Sequence, residues 1–489
     1  MIFEAEKTEL ILQGWRGEEG QNLENKLKMR KKADRQLPLD FAGTQKLTQE
    51  WYGLYRKIHE ILEANPAVVD LVHADLTKGE RKLKRNIEGV ASESILRLVL
   101  VQQIEGLSFR EVIVRVDDSQ MLRFFCRFYD DPILSFSKYA TLANMIQPGT
   151  WEKVNEIIVR YGRDKQGFQG KQLRIDTTAV ETDIHHPMDS SLLCDCVRVL
   201  SRLLKHVQKI AAGLVGPWRS RLRDAKRLTQ KLLRGGATLH KATRKKWYSK
   251  LITAAERVMR RAAEVRAQID AGAGATTSVL DKLELQALAD EIGHYLPLAE
   301  KCVAQASKRV LEEKEVPNSE KVFSIFEEHT ELLIRGKAGK KVEFGHMVEV
   351  RQIEGGLITH YAAHAKRPAE PPLLERAVAE HQELFGRVPE MCAGDKGFYS
   401  QAAVEAAAKM GVAEVCVPKK GRRNPEEEKK EHSRWFKLAQ AFRAGIEGTI
   451  SVLKRVFGLW RCLREGWVHF QSWVGTGVLA HNLVLLART

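Results

Sequence analysis

Apolar positions alternate at Leu173 and Ile175, which predicts a strand over Lys171–Val180 (KQLRIDTTAV) with Asp176 near its end. Ahead of it the period is helical. Helices are expected from Gln45 to Ala64, from Ser92 to Glu105 with a stop at Gly106, and from Phe109 to Val116, opened by an S-x-x-E capping box at Ser108 and Glu111. Past the strand, Leu203, Leu204, Val207 and Ile210, then Leu228, Leu232 and Leu233, keep helical spacing across breaks at Gly213–Pro217 and Gly235–Gly236. A loop at Ala271 (AGAGATT) precedes a helical stretch through Leu311, and VPNSE from Val316 marks its exit. Strand patterns then return. Val342–Val350 and Gly356–Ala362 read as a hairpin about a turn at Glu354–Gly356. A helix from Pro372 to Phe385, a strand over Val388–Ala393, a helix from Ser400 to Met410, a strand at Ala413–Val417, a charged loop and a helix over Arg443–Arg455 follow. The aromatic-rich tail from Gly466 to Thr489 reads as a packing helix, since His481 and Asn482 interrupt its apolar run.

A carboxylate on an apolar strand is costly unless a cation, hydrogen-bond donors or a metal ion repays it, or unless it takes up a proton. Asp176 can simply start a turn, but two other stretches repeat the problem. In MCAGDKGF (Met391–Phe398), Asp395 follows an apolar run and is flanked by Gly394, Lys396 and Gly397. In RAGIEGTISVLKR (Arg443–Arg455), a helix turning about 100° per residue returns Arg443, Glu447 and Lys454 to one face, a carboxylate between two cations suited to a metal and a phosphate. Gly445 and Gly448 each weaken that helix by about 1 kcal/mol relative to Ala, which suggests that something approaches closely there.

The spacing Arg443, Glu447, Lys454 resembles the C-terminal signature of DDE insertion-sequence transposases, with Gln440 where that family usually has Tyr. RIDTTAVETDIHHPMDSSLL from Arg174 and AGDKGFYS from Ala393 are similar to the first-Asp and second-Asp blocks of the ISNCY subgroup, and the similarity extends to SIFEEHTELLIRGKAGKKVEFGH (Ser324–His346). The resemblance implies an α/β, ribonuclease H-like mixed five-stranded sheet with helices on both faces, plus an all-helical N-terminal domain, and the 219 residues between Asp176 and Asp395, far more than a strand-to-strand connection needs, add a basic helical insertion after the first strand. The expected domains are residues 1–165 for the N-terminal DNA-binding and dimerisation domain, 166–190 and 320–489 for the catalytic domain, and 191–319 for the insertion. In such a fold the first and fourth strands are neighbours, so Asp176, Asp395 and Glu447 become catalytic metal ligands. Converging carboxylates with room for water favour two Mg²⁺ or Mn²⁺ ions over zinc. Arg443, Lys454 and Lys396 are then expected to contact DNA. His185, His186 and His346 are supporting or structural groups.

Charge locates a further contact. The chain of 489 residues has a formal charge of +16. Arg198–Arg261 holds nineteen Lys or Arg against Asp224 and Glu256, a net of +17, so the remainder is near neutral. Such one-signed charge is either a solvated hairpin or a surface for a polyanion. The second reading gives Arg219, Arg221, Arg223, Lys245 and Lys246 to the DNA backbone, with no sequence reading implied. Charge runs at Lys26–Arg35 and Lys78–Arg85, the first on a peripheral arm reaching to about Asp40, are solvated or touch DNA. The pair of helices around Gly106 is either a helix-turn-helix or part of a core, and the apolar content of Phe109–Val116 favours the core.

Seven cysteines without a C-x-x-C pair suit reduced cytosolic thiols better than a zinc site, although Cys194 and Cys196 lie near His185 and His186. MIFEAEKTEL lacks the basic and apolar regions of a secretory signal, so a cytoplasmic, nucleoid-associated prokaryotic protein is expected. Its partners would be double-stranded DNA, as inverted-repeat element ends and target, and further copies of itself in a homodimer or higher oligomer, with no membrane. The function expected is metal-dependent cleavage and strand transfer at element ends. The alternatives are a nuclease of the same fold and a transposase-derived DNA binder without chemistry.

Overall fold

Apolar period becomes architecture in the computed structural model, which describes residues 45–78, 90–273, 278–334 and 342–489. The expected N-terminal arm and nearly all of the basic run at 78–85 lie outside the described residues. Two compact units divide the chain, one of residues up to Val180, Met347–Arg464 and Val468–Thr489, the other of Glu181–His346 and Glu465–Trp467.

The first unit begins with seven helices: α1 (Lys46–Ala64), α2 (Ala67–Thr77), α3 (Ser92–Ile104), α4 (Phe109–Asp117), α5 (Gln120–Phe125), α6 (Phe136–Met145) and α7 (Pro148–Gln166). All thirteen residues of α3 are buried, including Arg97, which pairs with Glu93 at 2.6 Å. A helix enclosed on every side is a core element. The Ser108–Glu111 capping box opens α4 in both directions, and Val112 and Val116 turn inward. Its outward cations are engaged within the fold, Arg110 over the Phe136 ring and Arg115 with Glu105 at 2.8 Å. Strand β1 (Gln172–Glu181) follows.

The second unit is helical: α8 (Asp189–Ile210), α9 (Ala212–Val215), α10 (Leu222–Gly235), α11 (Lys241–Asp270) and α12 (Val279–Ala306). Leu200, Leu204, Leu251, Val258 and Ile292 are among the residues of its core. The breaks fall at Gly216 and Gly236, both at positive φ, where a side chain would be strained. A short strand, β2 (Glu331–Ile334), pairs antiparallel with residues 342–345. Four residues are too few for the alternation that reveals longer strands.

Those partners open β3 (Val342–Ile353), whose later residues return to the first unit and pair antiparallel with β4 (Ile358–His364) about the expected turn. Then come α13 (Pro371–Phe385), β5 (Met391–Ala393), α14 (Gln401–Lys409), β6 (Glu414–Cys416), α15 (Pro425–His432), α16 (Arg434–Arg455) and α17 (Trp467–Arg488). The stretch expected as a charged loop contains α15. This helix has no buried residue for a periodicity to reveal. Instead, Asn424 and Glu427 form a capping box, acids fill the first turn and bases the last, each suited to the helix dipole.

Strand order in this unit runs β3–β1–β5–β6, with β4 also on β3, and β1–β5 and β5–β6 are parallel. This mixed sheet has the ribonuclease H-like arrangement, with β2 additional to the five strands expected. Nearly all of α17 is buried, as a packing helix requires. Its Asn482 accepts from Ile358 N and donates to Ile358 O, at 3.0 and 2.7 Å, which satisfies a polar side chain inside the core. Among the described residues, no helix is long and apolar enough to cross a membrane.

Candidate active site

Strand register brings two acids alongside each other. In the parallel pair β1–β5 the last partners are Arg174 and Ala393, and Asp176 and Asp395 each lie two residues farther on. Asp176 keeps only 14% of its side chain exposed, and its Oδ1 accepts the Thr177 N–H at 2.7 Å. Burial above all pushes its carboxyl up to about 6. The Thr177 N–H opposes this, the charge of Asp395 adds to it, Arg443 opposes it, and Glu447 adds again.

Asp395 caps the tight turn Lys396–Phe398, accepting the Gly397 N–H at 2.7 Å. A Cβ at residue 397 would overlap the Glu370 carboxylate, which explains the glycine after Asp-Lys. Glu370 Oε1 in turn accepts from Thr177 Oγ1 at 3.0 Å. This fourth carboxylate therefore touches the neighbours of both aspartates. No motif marks it, because it stands at the entry to α13, far from them in sequence.

Helix α16 supplies the third acid. Arg443 Nη1 lies 3.0 Å from Glu447 Oε1 and 3.8 Å from Asp176 Oδ2, so one guanidinium spans strand and helix. Glu447 is 63% exposed at its side chain, open to a ligand arriving from solvent. Lys454 stands 5.6 Å from the Trp460 ring, and Lys396 is exposed.

What sets the position of α16 is a residue that the motifs do not mark. Buried Arg174 on β1 donates through Nε to Gln352 Oε1 at 2.8 Å and through Nη1 to Phe442 O at 2.5 Å, with its guanidinium over the Phe442 ring. Gln352 also donates to Thr449 Oγ1 at 2.9 Å. Strands β1 and β3 thus grip α16 on either side of Glu447. The close approach suggested by Gly445 is this arginine, since a Cβ at residue 445 would overlap its guanidinium. Gly448 has no such neighbour and faces open space, so the same explanation fails there. Gln440 Nε2 donates to Gly394 O and Cys416 O at 3.4 and 3.2 Å, tying the first half of α16 to the ends of β5 and β6.

The other candidates are placed elsewhere. In the second unit, Arg219, Arg223 and Lys246 are exposed and Arg221 partly so, whereas Lys245 donates to Leu311 O at 3.0 Å and pairs with Glu313 at 2.5 Å. His185 lies 2.7 Å from Asp195, which also pairs with Arg198. Cys196 lies against Cys302 and every cysteine is free, so Cys194 and Cys196 with His185 and His186 make no zinc site. His346 is buried, 2.7 Å from His329.

Among the described residues, no group of three His, Cys, Asp or Glu is already gathered as a metal cage. The donor set nonetheless fits a hard divalent cation, because Asp176, Asp395 and Glu447 offer only oxygen and the half-buried Asp176 is held under like charge. In this arrangement Glu447 is engaged by Arg443 and would have to share or leave that pair to reach an ion beside the aspartates.

A mixed sheet with two acids at the ends of adjacent parallel strands and a third on a later helix is a ribonuclease H-like arrangement. Residues 335–483 match the family described as the transposase DDE domain, a span that contains Asp395 and Glu447 and begins after Asp176. That match supports reading the chain as a DDE transposase, as the resemblance of its acid motifs implies. No curated protein and no solved structure matches it.

Proposed function

We propose that the chain cuts phosphodiester bonds at the ends of an insertion sequence and joins them to target DNA, as an ISNCY-like member of its family. The observation that supports this best is the arrangement around Arg443, which draws acids 176 and 447 together beside 395 from three distant stretches. Asp176, Asp395 and Glu447 would hold two Mg²⁺ or Mn²⁺ ions. Such ions lower the pKa of a bound water or 3′-hydroxyl and stabilise the departing oxygen.

The chain's own groups supply the rest. Asp176, close to the charges of the other two acids, would be a ligand to the ions. Asp395 is oriented by the Gly397 N–H. Arg443 neutralises Glu447 until a ligand arrives and then faces a phosphate, for which its planar fork is suited. Lys396 and Lys454 extend the contact to the DNA backbone. Residues 1–165 would bind element ends and assist self-association, 166–190 with 320–489 would carry the chemistry, and 191–319 would hold the DNA backbone.

Incubating the protein with DNA that carries the element's own ends, with Mg²⁺ and then with EDTA, tests the reading. Mg²⁺-dependent nicks together with joined products are expected. Nicks without joining would favour a nuclease, and binding without either a chemically inert descendant. Asp395→Asn should abolish cleavage and leave salt-sensitive DNA binding nearly intact. Loss of folding and binding together would make Asp395 structural.

A further inference from the structure

The inserted helices hold a cavity of about 430 Å³ lined by Pro217, Trp218, Arg219, Arg221, Arg257, Val258 and Arg261. Four guanidinium groups line it and no carboxylate does. Like charges brought so close repel and would disperse on flexible side chains unless the fold gained something from gathering them.

One guanidinium and one wall of the cavity are held by the fold. Arg261 Nε donates to Val215 O at 2.9 Å and Nη1 pairs with Glu264 at 2.8 Å, which fixes this guanidinium on α11. Residue 216 is a glycine at φ +57°, and a Cβ there would come within 3.2 Å of Arg261 Nη2. Trp218 Nε1 donates to Gln208 Oε1 at 3.3 Å, so the ring forming one wall is also held. Among the described residues, Arg219, Arg221 and Arg257 have no ion pair, and Arg219 and Arg257 are exposed.

We infer that this pocket is a phosphate-binding site that grips the backbone of duplex DNA. Planar guanidinium forks match phosphate oxygens two at a time, a geometry that lysines would not give. The surrounding run of net +17 over residues 198–261 suits a partner carrying a charge roughly every 1.7 Å better than a short acidic peptide. This inference rests on reading the chain as DNA-processing and adds the place where DNA is held. It draws in Arg257 and Arg261 and leaves out Lys245, which does not line the pocket.

The test uses the full chain, a duplex of arbitrary sequence and a NaCl series read by fluorescence anisotropy. R221Q/R257Q removes two pocket charges. K282Q/K301Q removes two exposed charges on α12 of the same unit. The pocket pair is expected to weaken binding by about tenfold and to flatten the slope of log affinity on log salt by about 2, the control pair far less. Inorganic phosphate should compete with duplex on the wild type and much less on the pocket pair. Equal losses for the two pairs would overturn the inference, leaving only diffuse charge, and so would competition by a polyglutamate peptide but not by phosphate. If the glutamine pair folds poorly, R221K/R257K replaces it. That pair keeps the charge and loses the fork, so a loss of about threefold at unchanged slope is expected, and no loss overturns the site. A chain that binds duplex through the pocket yet never cleaves would sink the proposed chemistry and leave the pocket standing. Cleavage that is insensitive to the pocket would do the reverse.

Discussion

Asp176→Asn is expected to make the metal-free protein more stable at pH 8 while removing cleavage. The carboxyl of Asp176 is pushed up to about 6 by burial and by the charges of Asp395 and Glu447, so the folded state binds its proton more tightly than the unfolded chain does. The linkage then has a definite sign. Below the unfolded pKa of about 3.9 the group is protonated in both states and costs nothing. As pH rises through about 6, stability is lost, up to about 3 kcal/mol for two pKa units. Asparagine cannot ionise and can still accept the Thr177 N–H, so it should recover about 1–3 kcal/mol at pH 8 and about a third as much at pH 4.5. Melting curves in EDTA at the two pH values check this. An equal shift at both, or a fall at pH 8, would show that the strain assigned to this carboxylate is absent. Cleavage is expected to vanish in the same variant, because an amide is a far weaker ligand for a hard cation than a carboxylate.

Gly445→Ala should change sign with its background. In the wild type the new methyl meets the Arg174 guanidinium, which is held by Gln352 and Phe442. Overpacking of this kind costs about 1–3 kcal/mol, outweighing the roughly 1 kcal/mol that Ala gains over Gly within a helix. With Arg174→Ala already present the obstacle is gone and only the helical gain remains. The same substitution should therefore destabilise by about 1–2 kcal/mol in one background and stabilise by up to about 1 kcal/mol in the other. Denaturant unfolding of the four proteins measures the coupling. Additive effects would mean that Arg174 does not fix α16. Since that helix carries Glu447, cleavage by Gly445→Ala should fall further than its loss of stability accounts for.

Local pattern made much of this fold legible. Strand β1, the β3–β4 hairpin and α16 each announce themselves by a period of 2.0 or 3.6, and Asp176, Asp395 and Glu447 stand on short motifs. What stays hidden is set by distance along the chain. Arg174 reads as an ordinary strand residue until Gln352 and Phe442, 178 and 268 residues away, come to meet it. Glu370 has no motif because its partners, Thr177 and Gly397, belong to other segments. Lys245 looks like its exposed neighbour Lys246 in a basic run, yet Glu313 engages it from beyond the loop after α11. Strand β2 was too short for alternation, and α15 too polar for an apolar stripe. Gly448 is the converse: a glycine in a helix that suggested a close contact and has none.

Manganese binding is the most direct test, because the proposed function requires Asp176, Asp395 and Glu447 to act on shared ions. Mn²⁺ would be titrated into the protein bound to an uncleavable duplex, with bound metal counted by electron paramagnetic resonance. Two ions are expected for the wild type, with weakened binding in Asp176→Asn, Asp395→Asn and Glu447→Gln alike, each variant still holding DNA. Two ions retained undiminished in all three variants would contradict the account.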